Sequence, residues 1–191
     1  MGALRLFCFL DANSVLFCFR SVIMRNKARF LVQAAVIAAL YAALSHLQNA
    51  LWPAGTTMAV QFRVSEALCV LALFTPSAIP GLTLGCFLFN LTSGAALPLD
   101  FLVGSLASLL AAGAMWLTRN KTLKGIPLFA LLMPGLLNGL LVGWELTFYI
   151  GGGFWFNAGS VALGETVVLL TLGTALYAAI KVRRLDQILF A

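Results

Sequence analysis

IPLFALLMPGLLNGLLVGWELTFY, residues 126–149, carries a single charged side chain, Glu145, in a run otherwise made of apolar, small and uncharged polar residues. A helix crosses the roughly 30 Å hydrocarbon layer of a bilayer with about 20 such residues, so this stretch is long enough to span. Lys121 and Lys124 precede it, and Gly151-Gly152-Gly153 follow as a turn. The whole chain has the same character. Of its 191 residues 62% are hydrophobic and 9% charged, with a mean hydropathy of +1.01. Soluble domains average roughly 45–50% apolar and about 25% charged. Composition therefore excludes a disordered chain and argues against a water-soluble domain. The net charge of +6 comes from residues at the edges of apolar stretches, which suits anionic lipid headgroups rather than nucleic acid.

Working outward, five more apolar stretches appear at about 30–47, 62–74, 78–92, 99–117 and 158–180. Trp52-Pro53-Ala54-Gly55, Thr75-Pro76 with Pro80, and Ser93-Gly94 with Pro98 separate them. The expected fold is an all-α membrane protein, a bundle of six transmembrane helices over residues 24–184, followed by a short tail at 185–191. The second stretch is short for a full crossing, so its outer end is expected to stop below the headgroups. Arg25, Lys27 and Arg29 precede the first stretch, Arg119, Lys121 and Lys124 separate the fourth from the fifth, and Lys181, Arg183 and Arg184 follow the sixth. The loops at about 48–61, 93–98 and 150–157 hold no Lys or Arg. Basic loops stay in the cytoplasm, so both termini are expected there, in a multi-pass protein of the cytoplasmic membrane. Residues 1–23 are apolar but interrupted by Arg5, Asp11, Asn13 and Arg20. A signal peptide, against which stands the lack of an A-x-A-like cleavage site, an interfacial helix, a seventh span, the least favoured, and a translation start at Met24 are the competing readings. The last is preferred because Met24-Arg25-Asn26-Lys27-Ala28-Arg29 looks like a cytoplasmic leader.

This topology sorts the polar residues. Arg63 and Glu66 fall near the outer start of the second stretch, Asp100 at the outer start of the fourth, Glu145 about a turn from the outer end of the fifth, and Glu165 about two turns into the sixth. Ionisable groups at membrane depth face a bundle interior or a cavity. Arg63 and Glu66 are i,i+3 neighbours. Asn138, Glu145 and Tyr149 form one stripe, as do Asp100, Gly104 and Ser108, and Asn90 adds an amide near the outer end of the third stretch. Each residue alone has a structural explanation: an Arg63–Glu66 ion pair, Asp100 as a helix N-cap, Asn90 and Asn138 as interhelical glue. Four carboxylates around one guanidinium exceed structural need and suggest a ligand site. Carboxylates only accept hydrogen bonds, so the ligand is expected to be rich in N–H donors or cationic. One carboxylate takes two parallel N–H groups, such as the amidine edge of a guanine-like ring. Trp52, Phe62, Trp144, Tyr149, Phe154, Trp155 and Phe156 lie at the same level, either stacking a flat ring or forming the interfacial aromatic belt.

Small residues suggest close helix contact. Two registers occur on the first stretch, Ala34-Ala38-Ala42 and Ala35-Ala39-Ala43. Gly135, Gly139 and Gly143 suit internal packing of the fifth, and Gly81 and Gly85 mark the third. His46 reads as a polar residue near a helix end. Cys8, Cys18, Cys69 and Cys86 show neither C-x-x-C nor zinc spacing, so no metal or cofactor is expected, and Cys69 and Cys86 read as small buried hydrophobes. No G-x-x-x-x-G-K-[ST] is present, and no H-E-x-x-H or G-x-S-x-G. An outward polar pocket without a P-loop or an enzyme motif suggests a binding subunit driven by others.

The stretch Gln61-Phe62-Arg63-Val64-Ser65-Glu66-Ala67-Leu68 resembles the signature of the queuosine-precursor (QueT) family, substrate-binding S components of energy-coupling factor transporters. The likeness continues through GLTLGCFLFNL (81–91), Asp100 with GSLASLLAA (104–112), PGLLNGLLVGWEL (134–146) and ALGETVVLLTLG (162–173). The resemblance implies the six-helix S-component bundle and a 7-deazaguanine substrate, the 7-aminomethyl form or its nitrile relative. It implies a membrane coupling protein and two ATPase subunits as partners, and no enzymatic activity. The polar positions matched are Gln61, Arg63, Glu66, Asn90, Asp100, Asn138, Glu145 and Glu165; Trp144 and Tyr149 complete the candidate site. The family's A-x-x-x-A patch, which meets the coupling protein, falls on Ala34/Ala38 or Ala35/Ala39. An S component for another vitamin or cationic metabolite, and a stand-alone proton-linked carrier, are the alternatives.

Overall fold

The computed structural model describes residues 12–53, 62–94, 96–123 and 125–190, with side chains from residue 27 onward. Residues 1–11 and Gln61, for which the sequence carries expectations, lie outside them. The described residues form seven α-helices: α1 (Ala12–Leu51), α2 (Ala78–Thr92), α3 (Asp100–Thr118), α4 (Leu128–Tyr149), α5 (Phe154–Val168), α6 (Thr174–Val182) and α7 (Leu185–Leu189). A 3-10 helix, Val64–Leu73, lies between α1 and α2, and a π-helical turn, Leu169–Gly173, joins α5 to α6. Among the described residues there is no strand, only an isolated bridge between Leu123 and Ile126.

Four helical stretches are long and apolar enough to cross a membrane: 27–51, 100–118, 128–149 and the continuous 154–182. The 3-10 helix and α2 are shorter. With α1–α5 largely apolar around their circumference and leucines exposed on every outer face, this is a membrane helical protein. The helix boundaries follow local chemistry. α1 stops before Trp52-Pro53, because the residue ahead of a proline leaves the helical region. α4 ends at Tyr149, and Gly151 and Gly152, at φ +86 and +87, reverse the chain into α5 in a conformation that side chains with a Cβ resist. The helix expected from about 158 starts earlier, at Phe154.

Consecutive helices α1–α2, α2–α3, α3–α4 and α4–α5 pack side by side, and the 3-10 helix lies among them, touching α1 to α6 and the π turn. Two seams are closed by glycine. A Cβ on Gly143 would lie 2.5 Å from Ala158 Cα, and one on Gly139 2.8 Å from Ala158 O. A Cβ on Gly81 would meet Ala34 O, and one on Gly85 would meet Ala38 O, both at 2.8 Å. The small-residue face of α4 is thus used inside the chain, as its sequence suggests. The α1 registers separate. Ala34 and Ala38 are buried against α2, whereas Ala35, Ala39 and Ala43 are exposed. Ala34 and Ala38 are therefore not a surface for another subunit: α2 already occupies them.

The basic residues gather at one end. Arg29 Nη2 and Gln33 Nε2 donate to the Leu189 carbonyl, at 3.3 and 2.7 Å. Arg119 and Lys181 share a cleft of about 330 Å³ with Phe74, Asn120, Thr122 and Tyr177. Asp100 begins α3 while Arg119 follows its end, and Glu145 lies in the last turns of α4 while Lys121 precedes its start. Apart from Asp186, which pairs with Lys181, the acidic residues of the described segments thus lie away from the basic end.

The 3-10 segment departs from the α-helical expectation. Runs beyond three or four residues are uncommon, and this one has ten. At about 2.0 Å per residue against 1.5 Å it extends about 20 Å rather than 15 Å. Three residues per turn also stack side chains at i and i+3. Glu66, Cys69 and Ala72 fall in one column, and Val64, Ala67, Val70 and Leu73 in the next, while Arg63 precedes the helix as its extended N-cap. The backbone geometry itself thus aligns Glu66 with Cys69.

Candidate functional site

The carboxyl groups of three helical segments are buried together at the acidic end. Glu66 is 1% exposed, Glu145 and Glu165 0%, and Arg63 7%. Asn90 and Asn138 are buried, and Asp100 is partly buried at the first residue of α3. The Arg63 charge acts through space on Glu66, Glu145 and Glu165, and Glu165 on Glu66. The Asp100 carbonyl joins the same core through Asn90. Arg63, Glu66, Asn90, Asp100, Asn138, Glu145 and Glu165, chosen from the sequence, therefore converge in one polar core.

Each carboxyl has a different hydrogen-bond environment. Glu66 is fully engaged: the Tyr41 hydroxyl donates to Oε1, and the Cys69 thiol to Oε2 at 3.0 Å. Glu165 is half engaged, since Asn138 Nδ2 donates to Oε2 at 2.6 Å while Oε1 has no donor from the protein. Glu145 has no donor on either oxygen. Asp100 Oδ2 accepts the Leu97 amide at 2.9 Å, tying the first residue of α3 to the turn before it. Buried polar groups are nearly always paired, so three unpaired carboxyl oxygens in one place are exceptional.

Arg63 is held differently from the ion pair the i,i+3 spacing suggests. Its Nη2 donates to Asn90 Oδ1 at 3.5 Å and approaches Cys86 Sγ at 3.9 Å, and its guanidinium lies 5.7 Å from the centre of the Phe89 ring. Among the described residues the ion pair is Lys181–Asp186; Arg63 and Glu66 do not form one. Asn90 closes the link to α3 by donating from Nδ2 to the Asp100 carbonyl at 2.8 Å. A Cβ on Gly104 would collide with that amide at 2.6 Å, which explains why Gly104 shares the inward stripe with Asp100 and Ser108.

The structure does not bring Trp144 and Tyr149 into this core. Trp144 is 53% exposed and stacks on Phe148, and Tyr149 is 37% exposed with its ring edge-on to Phe148. Trp144 is one residue from Glu145 and so about 100° around the helix, which turns it outward. Tyr149 is the last residue of α4. Trp52, Trp155 and Phe156 are exposed as well, the arrangement of an interfacial belt.

Tyr41 is absent from the sequence reading, and Cys69 and Cys86 have a role in the polar core beyond the one expected. Tyr41 is fully buried on α1 and bonds Glu66. Cys69 and Cys86 are buried, as expected of small hydrophobes, but they also contact Glu66 and Arg63. α1 further grips the start of the 3-10 helix through Ser45 to Ser65, at 2.8 Å, and Val64 N–H to Gln48 Oε1, at 2.7 Å. His46 lies against Thr92 Oγ1 at 2.9 Å and edge-on to Phe89, an exposed helix-end contact. No grouping of three or more His, Cys, Asp or Glu side chains suited to a metal occurs among the described residues.

A membrane bundle that buries several carboxyl groups and a guanidinium in its interior has the polar core that solute passage through a bilayer requires. The sequence model of the QueT transporter family matches residues 31–182, and the chain belongs to that family. No curated protein matches the chain, and no solved structure does.

Proposed function

We propose that this chain is the substrate-binding membrane subunit of an ATP-driven importer and that it takes up a queuosine precursor of the 7-deazaguanine type. The observation that carries the reading is the convergence of four carboxyl groups, from the 3-10 helix, α3, α4 and α5, on a core whose only guanidinium, among the described residues, is Arg63. Acceptors in such excess match a planar heterocycle with several N–H donors. Family membership supports the transporter class.

In this reading the chain crosses the membrane six times, with the 3-10 helix and α2 as the two short crossings and both termini in the cytoplasm. Clustering of Arg29, Arg119 and Lys181 at one end supports that orientation. The acidic core then lies towards the outside. A membrane coupling protein and two ATPase subunits supply the driving force, and the coupling protein meets α1 on the exposed Ala35-Ala39-Ala43 face. Bundle movement, powered by the ATPases, turns the site inward.

The test is binding by the purified chain. Mass spectrometry of small molecules released on denaturation is expected to yield a deazaguanine, and Glu66→Gln and Glu145→Gln are expected to assemble normally and lose most of the affinity. Unchanged affinity in both variants would remove the acidic core from the site.

A further inference from the structure

We propose that the basic cleft between the end of the 3-10 helix, the α3–α4 loop and α6 is a site for the phosphate group of an anionic phospholipid. It shares no residue with the acidic core and is independent of the substrate reading.

The cleft measures about 330 Å³, inside the range of about 300–1,000 Å³ that small-molecule sites occupy. Arg119 and Lys181 supply its charge, Asn120 and Thr122 add uncharged donors, and no carboxylate lines it among the described residues. The Arg119 guanidinium is held in advance. Its Nη1 donates to the Trp116 carbonyl at 2.6 Å, and it lies 3.5 Å from the centre of the Trp116 ring. That contact uses a single N–H, so the rest of the guanidinium fork stays available. The Lys181 ammonium lies 5.3 Å from the centre of the Phe74 ring and bonds Asp186 at 3.0 Å, with further N–H donors to give. Phe74 is itself fixed, stacked on Tyr177 at 5.5 Å and on Phe190 at 6.2 Å, so the wall behind Lys181 is rigid.

Two cations without a lining carboxylate suit an anion with several acceptor oxygens, and an arginine fork takes two oxygens of a phosphate at once. Depth decides the source of that phosphate. Arg119 directly follows the apolar helix 100–118, and Lys181 is the last residue but one of the apolar stretch 154–182. Both therefore stand where hydrocarbon gives way to headgroups. Leu117, Phe129 and Val182, each one or two residues from a lining residue, are exposed and offer apolar surface to acyl chains. A soluble phosphate would use the cations and leave that surface bare, whereas a phospholipid uses both. Each basic residue near an anionic leaflet strengthens binding by about fivefold.

The experiment titrates purified full-length protein in neutral detergent with short-chain phosphatidylglycerol, with phosphatidylcholine of the same chain length, and with inorganic phosphate at matched ionic strength. Affinity is read from the rise in unfolding temperature, and size-exclusion profiles serve as folding controls. Wild type is expected to bind phosphatidylglycerol at least about tenfold tighter than phosphatidylcholine. Arg119→Gln and Lys181→Gln are each expected to weaken phosphatidylglycerol about fivefold and to leave phosphatidylcholine unchanged. Arg183→Gln, which alters an exposed basic residue outside the cleft, is expected to change neither. No preference for phosphatidylglycerol in wild type, a preference kept in both cleft variants, or an equal loss in Arg183→Gln overturns the site. Inorganic phosphate binding as tightly as phosphatidylglycerol overturns the lipid as occupant in favour of a soluble phosphate. If one cleft variant does not fold, the other decides.

Discussion

The two ends of the 3-10 helix are held by different physics. At its start, Ser65 and Glu66 accept hydrogen bonds from Ser45 and Tyr41 of α1, and the Val64 amide donates to Gln48 Oε1. At its end, Val70, Ala72 and Leu73 sit in an apolar cluster with Ile37, Leu82, Met115, Leu131 and Leu169. In water the apolar end would benefit from the hydrophobic effect. In a bilayer the lipid tails are as apolar as the core, so close packing carries the association. The polar end lacks even that alternative, because an unpaired polar group in hydrocarbon is expensive. One short helix thus joins a region specified by donors and acceptors to a region specified by shape, and damage to each has a different signature.

The largest break is expected at the packed end and seams. Leu131→Ala removes a fully buried side chain and is expected to cost about 2 kcal/mol, the lower end of such truncations, because only the cavity contribution survives in a lipid reference state. A detergent or bicelle unfolding titration measures it, and the affinity of the molecules that remain folded should not change. Gly143→Ala pushes a methyl into the Ala158 backbone and is expected to cost about 1–3 kcal/mol, again without a change in ligand affinity.

Tyr41→Phe sharpens the contrast from the other side. It removes the donor to Glu66 Oε1 while keeping the ring, and it is expected to cost about 1–3 kcal/mol. Unlike the packing variants, it should also weaken ligand binding, which a binding titration alongside the unfolding curve will reveal. A variant that loses stability and keeps full affinity would place Tyr41 among the packing residues.

The smallest effect lies outside the membrane-spanning core. The Lys181 ammonium bonds Asp186 Oδ2 at 3.0 Å and holds that carboxyl below its usual range. A carboxyl lowered on folding stabilises above its unfolded value and loses that contribution as pH falls through the folded one. Acidification from pH 7 to about 5 should therefore leave this contact intact, with loss beginning below about pH 4. Comparing the acid limb of unfolding in wild type and Asp186→Asn checks it, and the two curves should converge at the acid limit.

Much of this arrangement is legible in the sequence for a simple reason. Charges are so rare in the apolar stretches that loop order alone brings Arg63, Glu66, Asp100, Glu145 and Glu165 to one level. Helical angle then sets the inward stripe of Asn138 and Glu145. Legibility fails where the helix is apolar all round. On α1 nothing in the sequence marks Tyr41 as inward, and two alanine registers stand side by side; α2 decides between them by lodging Gly81 and Gly85 against Ala34 and Ala38. Trp144 misleads because an aromatic suits a ligand wall and an interfacial belt equally. The 3-10 geometry of residues 64–73 and the π turn at 169–173 have no local signature, since both arise from how these segments fit their neighbours.

The threefold winding of the 3-10 helix places a constraint on length as strict as any on composition. Deleting or inserting one residue between Arg63 and Leu73 would turn everything beyond it by about 120°, carrying an aliphatic row to where Glu66 and Cys69 now face the core. Three residues together would restore the facing but displace one end by about 6 Å. Side chains along this segment can be exchanged one for another, but its register has almost no freedom to drift.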